Sequence, residues 1–113
     1  MPKQNCLLAL VLFFTVSSAW AKEVLLDVRT PEEYAQKHLP GSVNIDVQNE
    51  DFRERISKFN REDHYEVYCK GGKRATQAVT IMKEMNFKHL TNLGGYEEAQ
   101  KALEGRTGEK NGN

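Results

Sequence analysis

Cysteine is scarce in this sequence: 113 residues carry two, Cys6 and Cys69. A surplus of charge of one sign is also lacking, with 16 Lys and Arg against 16 Asp and Glu. That balance argues against a nucleic-acid partner, and no long basic run points to a membrane surface. No apolar run reaches the ~20 residues that a membrane-spanning helix needs. Ligand spacing for a metal is missing as well. His64 and His89 stand apart as surface or loop residues, and Met82 and Met85 read as core rather than as a metal-binding stripe. There is no internal repeat and no sign of a second domain.

What is there begins with a three-part leader. Residues 1–5 form a short start charged by Lys3, residues 6–16 an apolar run, and Ser17-Ser18-Ala19-Trp20-Ala21 ends in an A-x-A pattern. This is the order of a secretory signal peptide; the alternative, a membrane anchor, asks for a longer run. Cleavage after Ala21 is expected. It leaves 92 of the 113 residues, starting at Lys22, with a net charge of −1 because Lys3 departs. That is one small domain, near the size at which a single core suffices. Cys6 departs too, so Cys69 becomes the sole cysteine of the mature chain. An unpaired cysteine in an exported protein is a reactive thiol or an intermolecular bridge. An inert buried cysteine is the plain alternative, and the surroundings of Cys69 speak against it.

Those surroundings are the centre of the chain. An apolar run, residues 65–69, ends in the cysteine. Lys70, Gly71, Gly72, Lys73 and Arg74 follow, and a helical pattern starts at once. Glycines let the backbone curl, so that loop N–H groups can point at a central anion. The next helix presents its positive end to the same point, and the three cations add full charges. All of these favour a thiolate over a thiol.

The rest of the chain alternates strand and helix. Residues 23–29 read as a short, largely buried strand. Thr30, Pro31 and Glu33 form a helix start with a capping box, and that helix runs to about His38. Leu39-Pro40-Gly41 breaks it, and residues 42–45 are a second strand. Residues 46–49 supply caps for a helix whose Phe52, Ile56 and Phe59 share one face. After a polar connection and the strand ending at Cys69, Ala75, Ala78, Val79, Met82 and Met85 keep helical spacing until Asn86. Residues 89–93 form a fourth strand, Gly94 and Gly95 follow, and residues 96–103 form a last helix. Residues 105–113 carry no apolar side chain and are expected to be a disordered tail, which leaves 22–104 as the domain. Such alternation implies a parallel sheet with helices on both faces, and ligand sites in such sheets lie at the strands' carboxyl ends. Asp27-Val28-Arg29, Cys69 and Gly94-Gly95 all stand there.

Three segments together resemble the rhodanese (thiosulfate sulfurtransferase) family. They are Leu26-Asp27-Val28-Arg29 with Pro31-Glu32-Glu33-Tyr34 and residues 38–45, then Tyr68-Cys69-Lys70-Gly71-Gly72-Lys73-Arg74-Ala75, then Asn92-Leu93-Gly94-Gly95-Tyr96. With its leader and short length the chain is most similar to the small periplasmic single-domain members of the phage-shock-protein type. The resemblance implies an α/β rhodanese-like domain without the family's usual first strand. Four parallel strands in the order 2-1-3-4 are then expected, with the fourth strand's edge left bare and either weaker or covered by a partner. It also implies Cys69 as nucleophile, a persulfide intermediate, a sulfur donor such as thiosulfate, and a thiophilic acceptor: cyanide in vitro, a thiol in the cell. No cofactor is implied, and a periplasmic monomer is expected.

On this reading the amides of Gly71 and Gly72 hold the sulfur anion, and Lys70, Lys73 and Arg74 attract the donor. Arg74 has a second possibility, a salt bridge that caps the loop. Asp27 and Arg29 either brace the loop or form a structural ion pair. His38 is expected to be structural. Two other functions remain open. A sulfur carrier would load Cys69 without useful turnover. A cysteine phosphatase or arsenate reductase would use C-x5-R, whereas four residues separate Cys69 from Arg74, a loop tighter than a phosphate needs.

Overall fold

The computed structural model describes residues 21–111; the leader residues 1–20 lie outside that range. Four strands and four helices alternate: β1 (Glu23–Asp27), α1 (Pro31–Gln36), β2 (Val43–Asn44), α2 (Phe52–Ile56), β3 (His64–Tyr68), α3 (Lys73–Glu84), β4 (Leu90–Gly94) and α4 (Tyr96–Asn111). All strand pairs are parallel, and the order across the sheet is β2-β1-β3-β4. This is the expected order, with β4 at an edge.

Local chemistry sets the boundaries. At α1 the Thr30 hydroxyl accepts from Glu33 N at 3.1 Å, and Glu33 Oε1 accepts from Thr30 N at 3.0 Å, the two halves of a capping box. Asp46 and Asn49 fold the turns before α2 rather than capping it, accepting from Gln48 N and Asp51 N. Asn86 takes a left-handed φ of 73°. Phe87 N then reaches Met82 O and Asn86 N reaches Lys83 O, both at 3.0 Å, which closes α3 with paired carbonyls.

Alternation along the strands splits the core in two. One face carries Leu26, Val28, Tyr65, Val67 and Cys69 against Phe52 and Ile56 of α2 and Ala75, Ala78, Val79 and Met82 of α3. Full burial of a side chain such as Leu26 or Ile56 stabilises by roughly 1.5–3 kcal/mol. The other face is thinner: Tyr68 packs with Leu39 and Ala99, rimmed by half-buried Leu25, Leu93, Tyr96 and Leu103.

One expectation is corrected here. Residues from Gly105 onward are helical as far as Asn111, not an unstructured tail. Within this stretch Arg106 reaches Glu66 on β3 with both terminal nitrogens, at 2.6 and 3.4 Å, which ties α4 to the sheet.

Candidate active site

Register brings the site together. Asp27 stands beside Tyr68, and Tyr68 beside Gly94, so the carboxyl ends of β1, β3 and β4 lie in line. The pairing slips between Val67 and Tyr68, leaving Leu93 as an extra residue in β4. The slip carries Gly94 up beside the cysteine, where Cys69 N donates to Gly94 O at 3.0 Å.

Cys69 is 1% exposed and sits at the base of the loop. Its Sγ accepts from Gly72 N at 2.9 Å and from Ala75 N at 3.3 Å. Ala75 lies in the first turn of α3, so its N–H is one of the helix's free donors. Gly72 holds a φ of 109°, which a side chain would strain. Gly95 is required for a different reason. A Cβ there would meet Lys70 O at 2.6 Å, because the two backbones bridge and Tyr96 N donates to that same oxygen at 3.0 Å. A Cβ added at Gly71 would meet nothing within 4 Å.

The four charged neighbours separate. Arg74, expected to bind donor, is turned to Glu33 of α1: Nη1 reaches Oε1 at 2.7 Å and Nη2 reaches Oε2 at 3.2 Å. The hydrogen bond from Arg74 holds the Glu33 carboxyl down at about 2, and the pair with Glu33 raises the Arg74 pKa. Arg74 is therefore a strap from the loop to α1, and this fork is the salt bridge left open above. Lys70 is exposed and lines a cleft of about 540 Å³ with Arg29, Lys37, Gly71, Gly95 and Tyr96, whose wall also carries the carboxylates of Glu33, Glu97 and Glu98. Lys73 points elsewhere, into a shallower depression beside Thr76 and Asn92. Lys37 was not anticipated. Its Nζ lies 4.7 Å from the centre of the Tyr96 ring, on the same cleft as Lys70.

Asp27 and Arg29 form a buried node behind the loop. Arg29 grips the Asp27 carboxylate through Nε at 3.0 and 3.1 Å and Nη2 at 2.8 Å, and Nη2 also donates to Lys37 O at 2.8 Å. Burial works to lower the Arg29 pKa, but the bonds and charge of Asp27 outweigh it and raise it. The Tyr68 hydroxyl donates to Asp27 Oδ2 at 2.6 Å and accepts from Leu39 N at 3.1 Å. Burial and that bond to Asp27 push the phenol up to about 12. The node ties β1, β3 and the turn after α1 together; neither side chain touches Sγ. His38 stacks on Tyr34 with ring centres 3.7 Å apart and bonds to Tyr34 O, away from the cysteine.

The sequence signal for Glu33 was absorbed by its capping role, and nothing in the spacing shows that the same carboxylate also takes Arg74. Tyr96 could have been found, since it follows the Gly94-Gly95 pair that reaches the loop.

A family model described as "Rhodanese-like domain" matches residues 17–102. The chain is 38% identical over 94 residues to the thiosulfate sulfurtransferase PspE of Escherichia coli, covering 81% of this chain and 88% of that protein. It is 35% identical over 69 residues to the putative sulfur carrier protein YrkF of Bacillus subtilis, covering 61% of this chain and 36% of that one. Among solved structures it is similar to a rhodanese with anions from E. coli, at a TM-score of 0.59 and 36% identity, covering 67% of this chain and 89% of that one.

Proposed function

The chain belongs to the rhodanese-like family, whose matched members include sulfurtransferases, and on that premise we propose that it is a thiosulfate sulfurtransferase working through a Cys69 persulfide. The observation that carries this is the seat of Sγ, under the N–H groups of Gly72 and Ala75. Those donors stabilise a thiolate and can follow the negative charge as it moves one atom outward.

In the first half-reaction the Cys69 thiolate attacks the outer sulfur of thiosulfate. An S–S bond forms, the bond from that sulfur to the sulfonate breaks, and sulfite leaves with the electron pair. In the second, an acceptor thiolate attacks the outer sulfur of the persulfide. Cys69 is regenerated as a thiolate and the acceptor carries the sulfur away; cyanide in the same role yields thiocyanate. No proton donor or resolving cysteine is needed. Lys70 and Lys37 on the shared cleft supply the exposed cations for an anionic donor, while Arg74 and Glu33 keep the loop in shape. The leader pattern of residues 1–21 supports export to the periplasm, where a monomer would meet a small donor and a thiol acceptor, with no nucleic-acid or membrane partner.

Intact mass spectrometry tests the reading. Thiosulfate should add the mass of one sulfur atom to the mature protein, and cyanide should remove it. The absence of an adduct, or its persistence in Cys69→Ser, refutes the proposal. Comparing steady-state turnover with single-turnover loading separates an enzyme from a carrier, whose turnover would lag far behind its loading.

A further inference from the structure

Lys22 is anchored at both ends of its backbone. Its N donates to Asp63 Oδ1 at 2.9 Å, and its carbonyl accepts from His64 N at 2.9 Å. Asp63 is 9% exposed. Among the described residues no Lys, Arg or His side chain forms an ion pair with it. A nearly buried carboxylate whose backbone partner is one neutral amide is poorly compensated, since a buried charge asks for an opposite charge.

Hydrolysis of the Ala21–Lys22 bond supplies that charge without moving an atom of the site. Water adds across the amide, Ala21 leaves as a carboxylate, and the Lys22 nitrogen takes up a proton. The same nitrogen then carries a full positive charge and three N–H donors. We propose that Asp63 is a built receptor for the α-ammonium released when a leader peptidase cuts after Ala21, so that processing clamps the start of β1 to the start of β3. The precursor and the mature chain then share one fold but differ in stability.

The charged groups around this point are few. Glu23 follows Lys22 and lies 3.7 Å from His64 Nδ1; Glu62 lies 4.0 Å from His89 Nε2. Arg61 is committed to the carbonyls of Met85 and Ser57. The Tyr65 phenol, raised to about 12 by burial and by the Asp63 charge, donates to Asn60 O. Lys88 lies further along the same surface, with His64 and His89. An unperturbed α-amine titrates at about 7.7–8.0. An amine paired in the folded state has a raised pKa. Its contribution is therefore complete below about pH 7.7 and is lost as pH rises through the folded value.

The test compares the protein beginning at Lys22 with one that retains Ala21, each also carrying Asp63→Asn. At pH 7 the Ala21-retaining form should melt about 4–8 °C lower. The gap should close as the pH rises toward 10 and be missing in the Asp63→Asn pair. A second readout covers a variant that folds poorly: an NMR titration of the Lys22 α-amine in the mature protein should place it above the unperturbed range. Equal melting at pH 7, a gap that survives Asp63→Asn, an α-amine at or below the ordinary value, or an exported chain that starts at another residue each overturns the proposal.

Discussion

Replacing Glu33 with Gln isolates the strap between the active loop and α1. Gln keeps an oxygen for Thr30 N and Thr30 Oγ1, so the capping box survives. It loses the charge, and its amide N–H groups face the Arg74 fork as donor against donor. The wild-type carboxyl is held from 4.5 down to about 2, chiefly by Arg74. At about 1.4 kcal/mol for each pH unit, the full difference is about 3 kcal/mol. The Glu33 side chain is 28% exposed, however, and solvent screening brings the figure to about 1–2 kcal/mol. The sign follows from the depressed value. The stabilisation is complete above about pH 4.5 and is lost as the pH falls through about 2. Urea denaturation at a series of pH values reads this directly. Glu33→Gln should be less stable by about 1–2 kcal/mol at pH 7, with a gap that shrinks steadily below pH 4.5. Sulfur loading from thiosulfate should slow by about 10- to 100-fold, because loosening the strap misplaces the loop over Sγ. A stability gap that stays constant from pH 7 to pH 3, or a loading rate equal to wild type, refutes the strap.

Asp27→Asn leaves Arg29 buried beside a neutral partner and should destabilise by about 3–5 kcal/mol in the same denaturation experiment; a loss below about 1 kcal/mol would show that the node is not structural. Lys70→Gln and Lys37→Gln should each raise KM for thiosulfate a few-fold with kcat kept, and weaken its dependence on salt. Lys73→Gln, on the other depression, should leave KM alone, and an equal effect at Lys73 would contradict the division of the cations.

Much of this was readable in the chain. Thr30, Pro31 and Glu33 announced α1 because capping is local chemistry, settled within four residues. Asn86 announced the end of α3 for the same reason. The strand order came from a family resemblance rather than from periodicity. What stayed hidden depends on contacts between residues far apart. Arg74 and Glu33 are 41 positions apart, and Arg106 and Glu66 are 40 apart. Each pair joins elements whose relative rotation no local pattern records. The divergence of Lys70 and Lys73 has a similar origin: one belongs to the loop, the other to the first turn of α3, where the helix twist turns it away from the cleft.

The unequal depth of the two faces sets an order of opening. On the α4 side few side chains are fully buried, so local unfolding there gives up little apolar contact. Amide hydrogens of α4 should exchange with deuterated solvent well before those of β3 and α3. Cys69 is rooted on the slow side, with Val67, Ala75 and Met82. The rim of its loop is tied to the fast side through Tyr96 N and Lys70 O. Opening of α4 should therefore loosen the rim of the loop while the buried sulfur keeps its place on the better-packed side of the sheet.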